Sequence, residues 1–297
     1  MITIKRLSEC PLEDVLKAWN LGFEGYFVDL SMTLERFVSR MVTEGFSPEL
    51  SIVAFDGSKP VGIIKTGIRI INGKKVGWNG GTGVAKDYRN QGVGKHMMDH
   101  LLSIYEEQNV EIATLEAIKE NEHAIKLYKN MGYVIKDEVA NFSLNGPQTI
   151  ESEVTTKKYS IKKTIPQETG QLPFYKADYT WQTHWKSMSN GEAVIVFGEN
   201  AEPVGYAYYR RVFDDDFNHQ ATVLYQCEAD PNHNDAYEIT KLLIGYVFDD
   251  LSADIKRVVV NMPKKGSQLT YGVLLEHSFS VDVEQVCMEK EMNRFFK

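Results

Sequence analysis

The segment Val84-Ala85-Lys86-Asp87-Tyr88-Arg89-Asn90-Gln91-Gly92-Val93-Gly94-Lys95 has the make-up of a phosphate-binding turn. A β-rich stretch ends at Val84, a short polar loop follows, and helical spacing begins near Gly92. The first backbone N–H groups of a helix have no partner inside it, and the helix dipole places positive potential there, so an anion is held well. Gly92 and Gly94 matter because a side chain at either would block a diphosphate or forbid the backbone angles of the turn. Other phosphate loops fit less well. A Walker loop needs glycine where Arg89 stands and Ser or Thr where His96 stands. A dinucleotide fingerprint starting at Gly92 needs Gly or Ala at Met97, and one starting at Gly81 needs it at Lys86. Taken alone, the segment would still be no more than a surface loop with ordinary turn glycines.

The elements that would position this loop can be read from periodicity. Residues 2–7 form an opening strand, and residues 12–23 carry apolar side chains at helical spacing. A second helix runs over 33–42 with Thr33 as its cap. Strands follow at 51–55, 61–71 and 75–84, with Asn72-Gly73 as the hairpin turn between the last two. A helix over 92–108, a strand over 110–117, a helix over 121–130 and a strand over 133–144 complete a mixed α/β sheet. Residues 145–158 read as a linker. Beyond it, Pro203-Val204-Gly205 echoes Pro60-Val61-Gly62, and strands at 193–197, 220–228, 256–262 and 281–290 alternate with helices at 236–249 and 268–276. Element order repeats while residue identity hardly does.

Bulk properties narrow the function. A chain of 297 residues suits two domains, and 43% hydrophobic with 25% charged residues suits soluble globular ones. A net charge of −8 works against phosphate-backbone binding, so nucleic acid is not an expected partner. Three widely spaced cysteines suggest neither a disulfide framework nor a zinc site, and no metal is expected. With no apolar signal core at its start and no stretch long enough to span a bilayer, the chain is expected in the cytoplasm and not in a membrane.

The pattern Arg89-x-x-Gly92-x-Gly94 after a strand resembles the acetyl-CoA pyrophosphate loop of the GNAT superfamily. Asn121-Glu122-His123-Ala124-Ile125-Lys126-Leu127-Tyr128-Lys129-Asn130-Met131-Gly132-Tyr133 resembles that family's second signature, in the family's order and separation. The resemblance covers residues 1–144 through element order and is tight through 84–133. It implies a mixed, mostly antiparallel GNAT sheet flanked by helices, present twice in tandem: a catalytic domain at 1–144 and a second, degenerate GNAT-like domain at 159–297. It implies acetyl-CoA as co-substrate, held by Arg89, Asn90, Gln91, Gly92, Val93, Gly94 and Lys95, with Thr82, Gly83 and Val84 pairing with the pantetheine arm as an added strand. Asn121 and Tyr128 would border that arm. With Ala124 they lie at i, i+3 and i+7, on one helix face.

Acetyl transfer needs a neutral amine and a proton for the departing thiolate. By resemblance Tyr128 is the acid. The base is open: residues 75–84, where many relatives carry glutamate, offer no carboxylate. Glu116 is the best substitute, because Leu115-Glu116 through Leu127-Tyr128 looks like ribosomal-protein alanine N-acetyltransferases, whose catalytic glutamate and tyrosine share this separation; a water relay is the other choice. Glu24, Tyr26, Phe27 and Asp29, with Trp19 and Phe23, fall where the fold borders its acceptor, and Trp78 and Asn79 are placed with them. The competing reading makes those aromatics helix-packing residues and those acids solvated. The second domain has Cys227-Glu228-Ala229-Asp230-Pro231-Asn232-His233-Asn234-Asp235 where its loop should be, and those acids would repel a diphosphate. The expected activity is transfer of acetyl to a primary amine of a small molecule or peptide. A non-catalytic acyl-CoA-binding regulator, a purely structural protein and a homodimeric assembly stay open.

Overall fold

A computed structural model describes residues 1–146, 158–188, 190–248 and 254–292. The linker read at 145–158 lies outside the described residues from 147 to 157. The chain divides into two compact units: Met1–Lys136 with the C-terminal segment from Val286, and Asp137–Gln285.

The first unit opens with β1 (Ile2–Arg6), α1 (Leu12–Gly22) and α2 (Leu34–Thr43). Val15, Ala18 and Trp19 recur at helical spacing and form the buried side of α1. Thr33 caps α2 as expected, its Oγ1 accepting from the Arg36 N–H at 3.3 Å. Next come β2 (Ile52–Asp56), β3 (Lys59–Ile71) and β4 (Lys74–Val84), an antiparallel meander. Asn72 and Gly73 turn between β3 and β4 with φ of 49° and 76°, the two left-handed residues that a tight hairpin requires. The unit continues with α3 (Val93–Glu107), β5 (Ile112–Ile118) and α4 (Glu122–Asn130). β6 (Val134–Leu144) leads the chain out, and β12 (Ser280–Glu291) brings it back. Strand order is β1-β2-β3-β4-β5-β12. Val286, Met288 and Met292 join Met97, Leu101 and Tyr105 in the core, and the Met292 N–H donates to the Glu111 carbonyl at 2.9 Å.

The second unit contains β7 (Ser160–Thr164), α5 (Pro166–Thr169), β8 (Glu192–Phe197), β9 (Pro203–Phe213), β10 (His219–Ala229), α6 (Ala236–Val247), β11 (Lys256–Pro263) and α7 (Gln268–Glu276). Strand order is β6-β11-β10-β9-β8-β7, with β10 and β11 parallel as β4 and β5 are. The mixed, mostly antiparallel sheet flanked by helices is the class that the sequence implies. Residues 159–192 carried no expectation, because β7 is short and polar and the 3-10 turns at Trp181–Thr183 and Trp185–Ser187 have no repeating period.

One irregularity shapes the first unit. Ile64 pairs with Thr82 but Thr66 with Asn79, so Gly80 and Gly81 together face Lys65 in a β-bulge. Asn79 ties the bulge: its Oδ1 accepts from the Gly81 N–H at 3.1 Å, and its Nδ2 donates to Thr82 Oγ1 at 2.8 Å. On the far side of β4, the parallel ladder pairs Val76–Asn79 with Ile112–Leu115 and ends there. Lys65 itself is fully buried. Its Nζ lies 3.8 Å from the ring centre of Trp19, 4.4 Å from Phe46 and 5.2 Å from Phe37, and has no hydrogen-bond partner among the described residues. Burial pushes its pKa down to about 7, Arg40 acts the same way, and Glu44 opposes them. The ring faces offset part of the cost of an unhydrated ammonium.

The folded protein thus holds this proton less tightly than the unfolded chain does. The penalty is full below about pH 7 and fades as pH rises to about 10, where the unfolded lysine also loses its proton. Lys65→Met should be more stable than the parent by on the order of a few kcal/mol at neutral pH. Urea unfolding across that range should show the gap shrinking toward alkaline pH; a pH-independent gap would mean that no buried charge is involved.

Candidate active site

β4 ends at Val84, and a short turn leads to Arg89 and to Asn90, whose φ is 61°. Gly92 precedes α3 with φ of 81° and supplies no side-chain cap. A Cβ there would meet nothing within 4 Å, so the backbone angle and not crowding calls for glycine. Gly94 has ordinary angles, and a Cβ would make only 3.7 Å contacts to Leu127 and Val84. Its bareness keeps space open above the first N–H groups of α3.

That space is a cleft of about 630 Å³. Thr82, Val84, Arg89, Asn90, Gly92, Gly94 and Lys95 line one side, and Asn121, His123, Ala124, Leu127 and Tyr128 line another. Gly22, Phe23, Gly25, Tyr26 and Phe27, from the end of α1 and the loop after it, close the third. The structure therefore gathers most of the expected cofactor residues. Gly83, Gln91 and Val93 lie outside the lining: the Val93 side chain is in the core, and Gln91 Nε2 donates to the Asp87 carbonyl at 2.6 Å.

Arg89 lines the cleft, and its guanidinium also bonds to the backbone. Its Nε donates to the Val84 carbonyl at 2.9 Å, and its Nη2 to the carbonyls of Gly22 at 3.2 Å and Glu24 at 2.9 Å. The guanidinium clamps the loop to the end of α1. Lys95 pairs with Asp99 at 2.7 Å on the helix surface.

Two groups could move protons. Tyr128, buried on α4, has its pKa pushed up to about 12 by burial, against a hydrogen bond with Thr82 and with the Tyr26 phenol raising it further. Asn121 caps α4, its Oδ1 accepting from the Ala124 N–H at 3.2 Å, and its Nδ2 donates to the Tyr26 hydroxyl at 3.4 Å. Glu116 stands on β5 one residue past the end of the β4–β5 ladder. Burial raises its pKa to about 7; the Trp78 indole, donating to Oε2 at 2.7 Å, lowers it, and Glu44 raises it.

The expected acceptor residues divide. Tyr26 and Phe27 line the cleft, with Phe27 largely exposed. Glu24 contributes its carbonyl to Arg89, and Asp29 has its pKa lowered by hydrogen bonds from the Ser31 side chain and from the Ser31 N–H, the latter to Oδ1 at 2.9 Å. Trp78 and Asn79 are buried, one against Glu116 and one in the bulge. Sequence reasoning passed over Gly22, Gly25, His123 and Leu127; only the tertiary approach of α1 and α4 brings them to the cleft.

The second unit differs at the matching place. Residues 230–235, between β10 and α6, contain no glycine, and Asp235 at the head of α6 takes hydrogen bonds from Lys158 and from the Tyr159 hydroxyl, the latter at 2.6 Å. Glu228 is buried, accepts from Ser267 and, at 2.9 Å, from Tyr179, and its pKa is raised to about 7 by burial. Among the described residues no cluster of His, Cys, Asp or Glu could hold a metal ion, and no helix is long and apolar enough to cross a membrane.

A sequence profile of the acetyltransferase (GNAT) family matches residues 12–133. N-alpha-acetyltransferase 30 of Schizosaccharomyces pombe (strain 972 / ATCC 24843) is 25% identical over 147 residues, which are 49% of this chain and 93% of that protein. A GCN5-related N-acetyltransferase from Sphaerobacter thermophilus superposes with a TM-score of 0.67 at 11% identity, over 98% of this chain and 95% of that one. A tandem GNAT protein from the clavulanic acid biosynthesis pathway does so with a TM-score of 0.63 at 10% identity, over 98% of each chain. At such identities the superpositions speak for fold, and they extend through both units. Cleft, signatures and family profile coincide, and residues 12–133 are an acetyltransferase domain of the GNAT family.

Proposed function

We infer that the first unit moves an acetyl group from acetyl-CoA to a primary amine of a small molecule or peptide, by direct attack while both substrates are bound. The observation that carries this reading is the cleft at the head of α3, lined by Gly92, Gly94 and the protonated phenol of Tyr128 on α4, with the Glu116 carboxyl, its pKa raised to about 7, on β5 just past the β4–β5 ladder and outside the cleft lining. The residues fit the cofactor: bare N–H groups at the head of α3 suit a diphosphate, and β4 beyond Asn79 is free of its β5 ladder and suits an extended arm. Acetyl-CoA supplies the acyl group already activated as a thioester.

Glu116 takes a proton from the acceptor ammonium, directly or through water, which leaves the nitrogen lone pair free to attack. Tyr128, which lines the cleft, would donate to the departing sulfur. At a pKa near 12 its full proton transfer to a thiolate is uphill, so the phenol acts first as a hydrogen-bond donor to the growing charge. The relative's name, an N-alpha-acetyltransferase, puts peptide α-amines among the acceptors to try. The second unit holds no cofactor in this reading, since residues 230–235 lack glycines and Asp235 occupies the head of α6.

Gly92→Glu, which forces a side chain onto a left-handed residue and adds negative charge beside the diphosphate, should abolish acetyl-CoA binding in calorimetry while leaving the circular dichroism spectrum intact. Near-normal affinity would move the site elsewhere. The rate of CoA thiol release should rise with pH through about 7, as Glu116 ionises, and show no alkaline loss from Tyr128 below about pH 11. Glu116→Gln should remove the acid limb together with most of the turnover, and Tyr128→Phe should lower turnover about tenfold or more without changing cofactor affinity. A parent-like profile in both variants would refute the assignment.

A further inference from the structure

The Glu116 carboxyl takes hydrogen bonds from two N–H groups: the Trp78 Nε1–H donates to Oε2 at 2.7 Å, and the residue's own backbone N–H also bonds to the carboxyl and lowers its pKa. An indole N–H is a donor that cannot accept, so it binds an oxygen carrying a lone pair and favours the ionised carboxylate. When Glu116 is protonated, the proton therefore belongs on Oε1.

The indole is fixed as firmly as the bond requires. Trp78 is 1% exposed and stacks on Phe46 with ring centres 5.0 Å apart and planes 15° from parallel. Gly80 makes the stack possible, because a Cβ there would lie 2.3 Å from the Phe46 ring and 2.5 Å from the Trp78 ring. Phe46 is also one wall of the cage around Lys65. Trp78 pairs with Thr114 two residues before Glu116, so the donor is anchored where β4 and β5 are still zipped while the carboxyl stands beyond the last rung.

We propose that Trp78 is a positioning residue of the acetyl-transfer reaction, holding Glu116 Oε2 so that Oε1 is the atom that receives the acceptor's proton. This rests on Glu116 being the base. In that step the N–H bond of the ammonium breaks, its electron pair stays on nitrogen, and the proton forms a bond to Oε1; nothing is oxidised or reduced.

The test replaces Trp78 with β-(3-benzothienyl)alanine, which keeps the bicyclic ring and its stacking but has sulfur in place of the N–H, alongside Trp78→Phe and Glu116→Gln. CoA thiol release is followed from about pH 5 to about pH 9 with an amine that the parent protein acetylates. The benzothienyl protein should show the acid limb of kcat/KM moved up by about one pH unit and kcat at neutral pH lowered about tenfold, with unchanged acetyl-CoA affinity in calorimetry. Trp78→Phe should move the limb the same way. An unmoved limb in both, with Glu116→Gln inactive, overturns the role of Trp78 and leaves Glu116 as base. Uniformly reduced activity with a lowered melting temperature and no shift of the limb marks Trp78 as merely structural and also overturns it. Full activity in Glu116→Gln removes the base itself, and the proposal with it.

Discussion

β4 has to pair with β5 and then stop. A buried strand leaves few backbone N–H and C=O groups without partners, so a sheet does not open without a local cause. Here the cause is the bulge at Gly80–Gly81, which sets two residues against Lys65 and lies immediately past the last paired residue, Asn79. The opening leaves β4 beyond Asn79 off the β5 ladder and places Glu116 at the fork. The Asn79 amide, bound to the Gly81 N–H and the Thr82 hydroxyl, keeps the irregularity in register.

The second unit repeats the topology without the opening's chemistry. The register of β9 with β10 also slips, between Leu224 and Gln226, and β10 pairs in parallel with β11 only over Ala221–Leu224. Where the first unit has glycines, the second has bulky polar side chains knitted together: the Tyr206 hydroxyl donates to Gln226 Oε1 at 2.8 Å, Gln226 Nε2 donates to the Thr183 carbonyl at 3.0 Å, and Tyr206 and Tyr208 are fully buried.

Local signals carried much of this into view. Helical and strand periodicity, the Asn72-Gly73 turn and the Thr33 cap depend on neighbours in sequence, and each was legible. The turn before α3 was legible too, since Gly92 declares a backbone angle and its place before a helix declares free N–H groups. What could not be read depends on contacts distant in sequence. Nothing near Trp78 says that its indole meets a carboxylate on another strand, and nothing near Lys65 announces three rings from separate elements. The return of Val286, Met288 and Met292 to the first unit is of the same kind, because an apolar strand does not name the core it joins.

Arg89 illustrates how one side chain can hold two walls of a cleft together. Its guanidinium bonds to carbonyls at the end of β4, at the end of α1 and in the loop that leads to Tyr26 and Phe27. The turn before α3 and the loop that carries Tyr26 and Phe27 are therefore bolted to one another, so a substitution that shifts one wall of the cleft is transmitted mechanically to its counterpart.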